Sequence, residues 1–154
     1  MKSGYERPPV SNGNPTEQAL IRRWWIEAER SRGRLVWEYH IEGRYVDAVW
    51  FPDDPATGVE TDGKDAPTRF PLKGADVVLC EAKSILNPEL IGQALVYSVL
   101  AARAHARLRG TVIFAEQAGD SLREVARALG LAVVIGDEAL QSPAEPLRLG
   151  QTAD

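Results

Sequence analysis

The chain has 154 residues, of which 44% are hydrophobic and 26% are charged, which suits a single globular domain with one hydrophobic core. One cysteine, Cys80, excludes an internal disulfide framework and a multi-cysteine zinc site, and no apolar run reaches the ~18 residues of a membrane span. The net charge of −4 argues against a broadly basic nucleic-acid-binding surface, so any contact with DNA has to be local.

The first part of the chain predicts one helix after a flexible segment. Residues 1–14 contain Gly, Pro, Ser and Asn without hydrophobic periodicity, which predicts a flexible lead-in. A helix is predicted over residues 15–31, because Asn14 can cap it and Gly33 ends it. Glu17 stands three residues after the cap, as in a capping box, and it also lies on the apolar stripe of the helix. Its role can therefore be structural, functional or both.

A β-hairpin is predicted next. Residues 35–41 and 44–51 are rich in aromatic and β-branched side chains, and a Glu-Gly pair separates them. Asp47 is a lone acid among the apolar residues of the second strand, a position that requires an explanation. Residues 52–74 form an acidic insertion with several prolines and glycines. It is too long for a plain connection, so we expect a lid, an extended hairpin or disorder.

The second half alternates strands and helices. We predict strands over 76–83, 111–115 and 131–135 and helices over 88–108 and 120–129. The resulting order α-β-β-β-α-β-α-β predicts an α/β fold with a mixed central sheet flanked by helices. One domain over residues 15–140 is expected, followed by a flexible tail over 141–154.

The strand over residues 76–83 ends in two charges, Glu81 and Lys83, which alternation along a strand places on the same face. Charges at the end of a buried strand are costly unless they are paired or used. If the strand that carries Asp47 lies beside this one, the two carboxylates meet at one edge of the sheet. Such carboxylates bind Mg²⁺ or Mn²⁺, and a lysine beside them can assist the hydrolysis of a phosphodiester.

These residues resemble the motif of the PD-(D/E)XK nuclease superfamily: Asp47, then Glu81-Ala82-Lys83, after a helix that bears Glu17. The resemblance covers most of the chain and implies a restriction-endonuclease-like α-β-β-β-α-β core. It also implies that Asp47, Glu81 and the Ala82 carbonyl bind the metal. Lys83 is then the catalytic lysine, and Glu17 supports the metal or its water.

The helix predicted over residues 88–108 extends the resemblance. Gln93 and Tyr97 match the QxxxY motif of the RecB-type exonuclease branch, which implies that Gln93 positions the substrate or the lysine and that Tyr97 contacts the substrate. Arg103 and Arg107 on the same predicted helix are candidates for phosphate contacts. The chain departs from the superfamily pattern at Val46, where the motif has proline, and in the acidic insertion.

We therefore expect a Mg²⁺- or Mn²⁺-dependent deoxyribonuclease. DNA is the expected partner, and the sequence leaves open a homodimer or a subunit of a larger DNA-processing complex. A cytoplasmic location is expected, because the N-terminus lacks the apolar segment of a signal peptide. The alternative is a catalytically inactive nuclease-like module that binds DNA or supports assembly, and a third possibility is hydrolysis of another phosphoester.

Each site residue also has an ordinary structural explanation. Glu81 and Lys83 can form a structural ion pair at a strand end. Asp47 can satisfy backbone groups of the hairpin. Gln93 and Tyr97 can be packing and surface residues of a helix. The prediction of a site depends on the ordered set rather than on any one of these residues.

Overall fold

The structure is a computed structural model, and it describes residues 15–62 and 70–136. Its elements in chain order are helix α1 (Pro15–Arg23) continued by a π-helical turn (Trp24–Ala28), strands β1 (Arg34–Ile41), β2 (Arg44–Phe51), β3 (Gly58–Thr61) and β4 (Asp76–Ile85), helix α2 (Pro88–Arg103), strand β5 (Arg107–Gln117), helix α3 (Asp120–Ala128) and strand β6 (Ala132–Ile135). The predicted α/β class with a mixed sheet is confirmed. None of the helices in these ranges has the length and apolar character needed to cross a membrane.

The six strands form one sheet in the order β3-β1-β2-β4-β5-β6. The hairpin strands β1 and β2 are antiparallel, and β2 pairs antiparallel with β4. From β4 onward the pairing with β5 and β6 is parallel, as crossover helices require. The two halves of the chain therefore meet where β2 lies beside β4, and this pairing puts the strand of Asp47 next to the strand of Glu81.

Helices cover both faces of the sheet, each with its own apolar core. On one face, α1 and its π-helical turn place Trp24 against Trp50 and Phe114, with ring centroids 5.3 Å apart in both pairs. On the other face, α2 contributes Tyr97 and α3 contributes Ala126, both buried against the sheet. Both faces of the central strands are buried, which explains the continuous apolar run in β4.

The first helix is shorter than predicted. Its last turn is π-helical and ends at Ala28, whereas the sequence predicted a helix to residue 31. Both Arg30 and Ser31 have left-handed backbones, with φ of 59° and 55°. The indole groups of Trp25 and Trp50 donate to the Arg32 carbonyl at 2.9 and 2.6 Å, and these bonds hold the chain away from a helical path.

The predicted boundary between α2 and β5 is wrong. The sequence predicted a helix to residue 108 that ends at Gly110, but α2 ends at Arg103 and β5 begins at Arg107. His105 between them has a φ of 67°, which stops the helix. The alanines and arginines around this point favour a helix locally, and pairing of β5 with β4 overrides that preference.

The acidic insertion contains an ordered strand that the sequence did not predict. Strand β3 pairs in parallel with β1 and adds an edge to the sheet. The chain then continues to Asp62, whose backbone N–H donates to the Trp37 carbonyl at 3.0 Å and whose carboxylate accepts from the His40 N–H at 3.0 Å. The remainder of the insertion through residue 69 lies outside the described residues, as do the predicted lead-in and tail.

Candidate active site

Asp47 and Glu81 face each other where the ladder between β2 and β4 stops. The last regular pair of that ladder joins Ala48 to Cys80. Beyond it, the Asp47 N–H donates to Glu81 Oε2 at 2.8 Å, and the Ala82 N–H donates to Asp47 Oδ2 at 2.9 Å. Each carboxylate therefore replaces a backbone carbonyl as the acceptor for the opposite strand. The two strands separate at this point and leave two acids between them.

Burial raises the pKa of both carboxyl groups. Glu81 is only 4% exposed, and burial followed by the charge of Asp47 raises its pKa well above the ordinary value. Burial also raises the pKa of Asp47 to about 6, with the charge of Glu17 adding to the effect and the Ala82 N–H opposing it. The reciprocal bonds to the facing strands hold the two carboxyls side by side. Carboxyls this close either share a proton or need a cation.

Lys83 lies on β4, two residues after Glu81. It is half-buried, and its positive charge opposes the increase in pKa at both Asp47 and Glu81. No hydrogen bond or ion pair joins Lys83 to another residue within 15–62 and 70–136. The structural ion pair considered for Glu81 and Lys83 is therefore not formed, and the lysine is available to a ligand.

Glu17 connects α1 to the end of β4. It is buried, and its Oε2 accepts from the Ser84 N–H at 3.1 Å and from Ser84 Oγ at 3.4 Å. The residue after Lys83 is thereby fixed to the helix. The capping box with Asn14 falls outside the described residues.

The two residues of the QxxxY pattern lie on α2 above this end of the sheet. Tyr97 is buried, and burial together with the charges of Glu81 and Asp47 raises the pKa of its hydroxyl. Gln93 is half-buried one helical turn earlier, on the same side of α2 as Tyr97. The structure thus brings Tyr97 into the electrostatic field of the carboxylates, with Gln93 next to it on the helix.

Two predicted substrate-binding residues, Arg103 and Arg107, lie elsewhere. Arg107 belongs to β5 rather than to a helix, and its Nε donates to Asp76 Oδ1 at 2.6 Å. Asp76 opens β4, roughly 16 Å from Glu81 along the strand at about 3.3 Å per residue. Because β4 and β5 are parallel, α2 runs back between them and ends with Arg103 at that same distant end. Neither arginine joins the carboxylates.

Arg44 is the arginine on the side of the carboxylates. It is exposed at the start of β2, and its charge lowers the pKa of Tyr97. Alternation along β2 puts it on the same face as Val46, which packs in the core under α2. In the described part of the chain it forms no ion pair. In the sequence, the feature that could have identified Arg44 as part of the site is its position three residues before Asp47.

Sequence reasoning missed Glu38, an acid buried in β1. It lies opposite Asp47 across the hairpin, between the pairs Trp37–Ala48 and Tyr39–Val46. Its charge contributes to the raised pKa of Glu81. Asp47 was singled out because it is a lone acid in an aromatic strand, and the same criterion would have identified Glu38.

The donors around Asp47 are oxygens, which suit a hard cation. Over residues 15–62 and 70–136, no three side chains of His, Cys, Asp or Glu converge as a metal cluster. Two carboxylates still fit Mg²⁺ or Mn²⁺, because these ions bind through one or two carboxylates and keep several waters. Comparisons of the chain with protein-family models, with curated proteins and with solved structures gave no match.

Proposed function

We propose that the protein is a Mg²⁺- or Mn²⁺-dependent nuclease that hydrolyses DNA phosphodiester bonds. The observation that carries the proposal is the reciprocal arrangement of Asp47 and Glu81, each bonded to the backbone of the other's strand at the open end of the ladder. This arrangement fixes two carboxylates side by side, and neither has an arginine partner within residues 15–62 and 70–136. Burial of two neighbouring acids is unfavourable for stability, so a binding function explains it better than a structural one.

Asp47 and Glu81, with the Ala82 carbonyl, are the groups that would hold the cation. When bound, the cation would stabilise negative charge on a phosphoryl oxygen and lower the pKa of a water ligand. The carboxylates themselves are held by the N–H groups of Ala82 and Asp47, so their positions are set before any ligand arrives. Such preorganisation is what electrostatic catalysis requires.

Lys83 and Glu17 complete the arrangement from β4 and α1. The positive charge of Lys83 opposes the raised pKa of both carboxyls, and its ammonium group would interact with the phosphate or with the attacking water. Glu17 binds the Ser84 N–H and thereby restricts the strand end that carries the lysine. Glu17 then acts through Lys83 rather than on the substrate.

The substrate would approach between the β1–β2 turn and α2. Arg44 is exposed at the start of β2 on this side, and it supplies a positive charge that no other described residue neutralises, whereas Tyr97 is buried. Gln93 lies beside Tyr97 on the helix, where it can position the nucleic acid or the lysine. Arg44 thus replaces Arg103 and Arg107 as the expected phosphate contact.

The order of elements supports a restriction-endonuclease-like core. Helix α1, the hairpin β1–β2, strand β4, helix α2 and strand β5 follow the order α-β-β-β-α-β, with β3 as an added edge strand. The acids of this pattern fall on α1, β2 and β4, at one end of the sheet. The agreement between element order and acid positions favours a nuclease over hydrolysis of an unrelated phosphoester.

The test is cleavage of labelled single-stranded, duplex and branched DNA in Mg²⁺ or Mn²⁺. Wild type is compared with Asp47→Asn and Lys83→Ala, and Asp76→Asn is the matched control at the other end of β4. We expect cleavage to fall by about 10²–10³-fold in the first two variants and to persist in the control. No cleavage by any folded protein, with binding of DNA retained, would contradict the enzyme and favour a non-catalytic binding module.

A further inference from the structure

Glu38 occupies a backbone conformation that a glutamate in a strand rarely adopts. It lies in the middle of β1 with a φ of 55°, in the left-handed region. Glu42 also has a positive φ, of 47°, but it lies in the exposed turn of the hairpin, where such a conformation is ordinary. The strain at Glu38 is therefore not imposed by a turn. Strained residues of this kind persist at functional sites, where surrounding structure holds them.

At Glu38 on β1 and at Asp47 on β2, the buried side chains switch from one face of the sheet to the other. Its neighbours Trp37 and Tyr39 are two residues apart, yet Trp37 packs under α1 and Tyr39 packs under α2. The same exchange occurs on β2 at Asp47, since Val46 and Ala48 also pack on opposite faces. A regular strand would keep residues two apart on one face. The interruption thus lies where Asp47 leaves the regular ladder and its N–H turns to Glu81.

We propose that Glu38 is a positioning residue of the Asp47–Glu81 site, which holds β2 out of regular alternation at Asp47 and adds negative charge that favours a divalent cation. This inference rests on the proposed function, because it concerns the same pair of carboxylates. Glu38 lies opposite Asp47 across the hairpin, and its charge adds to the raised pKa of Glu81, which the charge of Lys83 opposes. A divalent ion gains twice as much from the added charge as a monovalent ion does.

The charge and the backbone of Glu38 can be tested separately. Glu38→Gln keeps the length of the side chain and the backbone strain but removes the charge. Glu38→Gly removes the side chain as well and adopts the left-handed conformation without strain. Glu42→Gln is the matched control, because it removes an equal charge at another glutamate with a positive φ.

The measurement is the affinity for Mn²⁺ by titration calorimetry, with the Mn²⁺ concentration that half-saturates DNA cleavage as the second readout. We expect Mn²⁺ affinity to fall about 10- to 100-fold in both Glu38 variants, as for partners that tune a metal site without touching the metal. The rate at saturating Mn²⁺ should change far less than the half-saturating concentration. Thermal unfolding should show Glu38→Gly to be at least as stable as Glu38→Gln. Glu42→Gln should bind Mn²⁺ as wild type does.

Three outcomes would overturn the inference. Folded Glu38→Gln that binds Mn²⁺ as tightly as wild type would remove the role of charge, and Glu38→Gly answers the same question if the first variant does not fold. Wild type that binds no Mn²⁺ would overturn both proposals. Wild type that cleaves DNA while the Glu38 variants match it would leave the nuclease standing without this role. Mn²⁺ binding that weakens in the variants without DNA cleavage by wild type would support Glu38 and contradict the nuclease.

Discussion

At the start of β4, Asp76 accepts a hydrogen bond from Arg107 at 2.6 Å and has Arg109 at 3.5 Å, whereas at the end of β4 Glu81 has another acid as its neighbour. The bond from Arg107 lowers the pKa of Asp76. Burial and the charge of Asp47 raise the pKa of Glu81. One strand therefore carries an acid paired with arginine at one end and an acid next to another acid at the other, and the second is the one that we propose to bind a cation.

A cavity of about 600 Å³ opens at the Asp76 end of β4, and it illustrates why concavity alone does not identify a site. Its acids already have cationic partners: Arg34 Nε lies 2.9 Å from Asp54 Oδ2, and Arg109 Nη1 lies 3.5 Å from Asp53 Oδ2. These pairs contribute little individually, since exposed ion pairs are weak. Among the described residues, each acid that lines this cavity already has an arginine partner. The candidate active site is at the opposite end of the strand.

Stabilisation by Mn²⁺ is the largest difference that we expect between the two ends of β4. Adding Mn²⁺ at about 100 times its dissociation constant should raise the free energy of unfolding by about 2.7 kcal/mol, because only the folded carboxylates bind it together. Asp47→Asn should lose this response, and Asp76→Asn should keep it. The measurement is thermal or urea unfolding with and without Mn²⁺. A response that survives in Asp47→Asn would place the cation elsewhere.

The second effect is the dependence of stability on pH without metal. The pKa of Asp47 is raised from 3.8 to about 6, so the folded state holds its proton more tightly than the unfolded state. Its stabilising contribution is present below the ordinary pKa and is lost as pH rises through about 6. Asp47→Asn should therefore raise the free energy of unfolding by about 2 kcal/mol at pH values well above this range.

The pKa of Asp76 is shifted in the opposite direction from that of Asp47, so Asp76 is the control for that measurement. Because its pKa is lowered, Asp76 stabilises the folded state at pH values above its ordinary pKa, and this stabilisation is lost as the pH falls. Urea titrations of the metal-free protein across this pH range separate the two groups. Equal pH profiles for wild type and Asp47→Asn would contradict the proposed strain in the carboxylate pair.

The smallest expected effect concerns the entrance to the site. Arg44→Ala should weaken DNA binding by about tenfold and reduce the salt slope of binding by about one unit, as for loss of one phosphate contact. Arg103→Ala removes the same charge at the far end of α2 and should change binding less. Binding isotherms at several salt concentrations measure both quantities. Equal losses in the two variants would indicate a general electrostatic effect instead of a local contact.

Much of the fold could be predicted because local and tertiary preferences agree. The hairpin of β1 and β2 and the apolar β4 have strand-forming residues in strand positions. The end of α2 could not be predicted from local preference. The alanine-rich residues there favour a helix, but the helix ends at Arg103 because the chain that follows pairs with β4 as strand β5. Strand β3 is four residues long and polar, so its pattern carried no signal.

The candidate site was only partly predictable for a related reason. Alternation and chain order were enough to expect Asp47 beside Glu81. The pairing of Arg107 with Asp76 depends on the register of two strands, which the sequence does not display. The left-handed backbone of Glu38 is likewise held by its surroundings, since nothing about a glutamate favours it.

Cys80 forms the last regular ladder pair before Glu81, and it is fully buried. Burial, followed by the charge of Glu81, raises the pKa of its thiol well above the ordinary value, which suppresses the reactive thiolate. An alkylating reagent can reach this sulfur only when β4 separates from its neighbours. The single thiol is therefore a natural reporter group, whose modification rate follows the opening of the strand that carries Glu81 and Lys83.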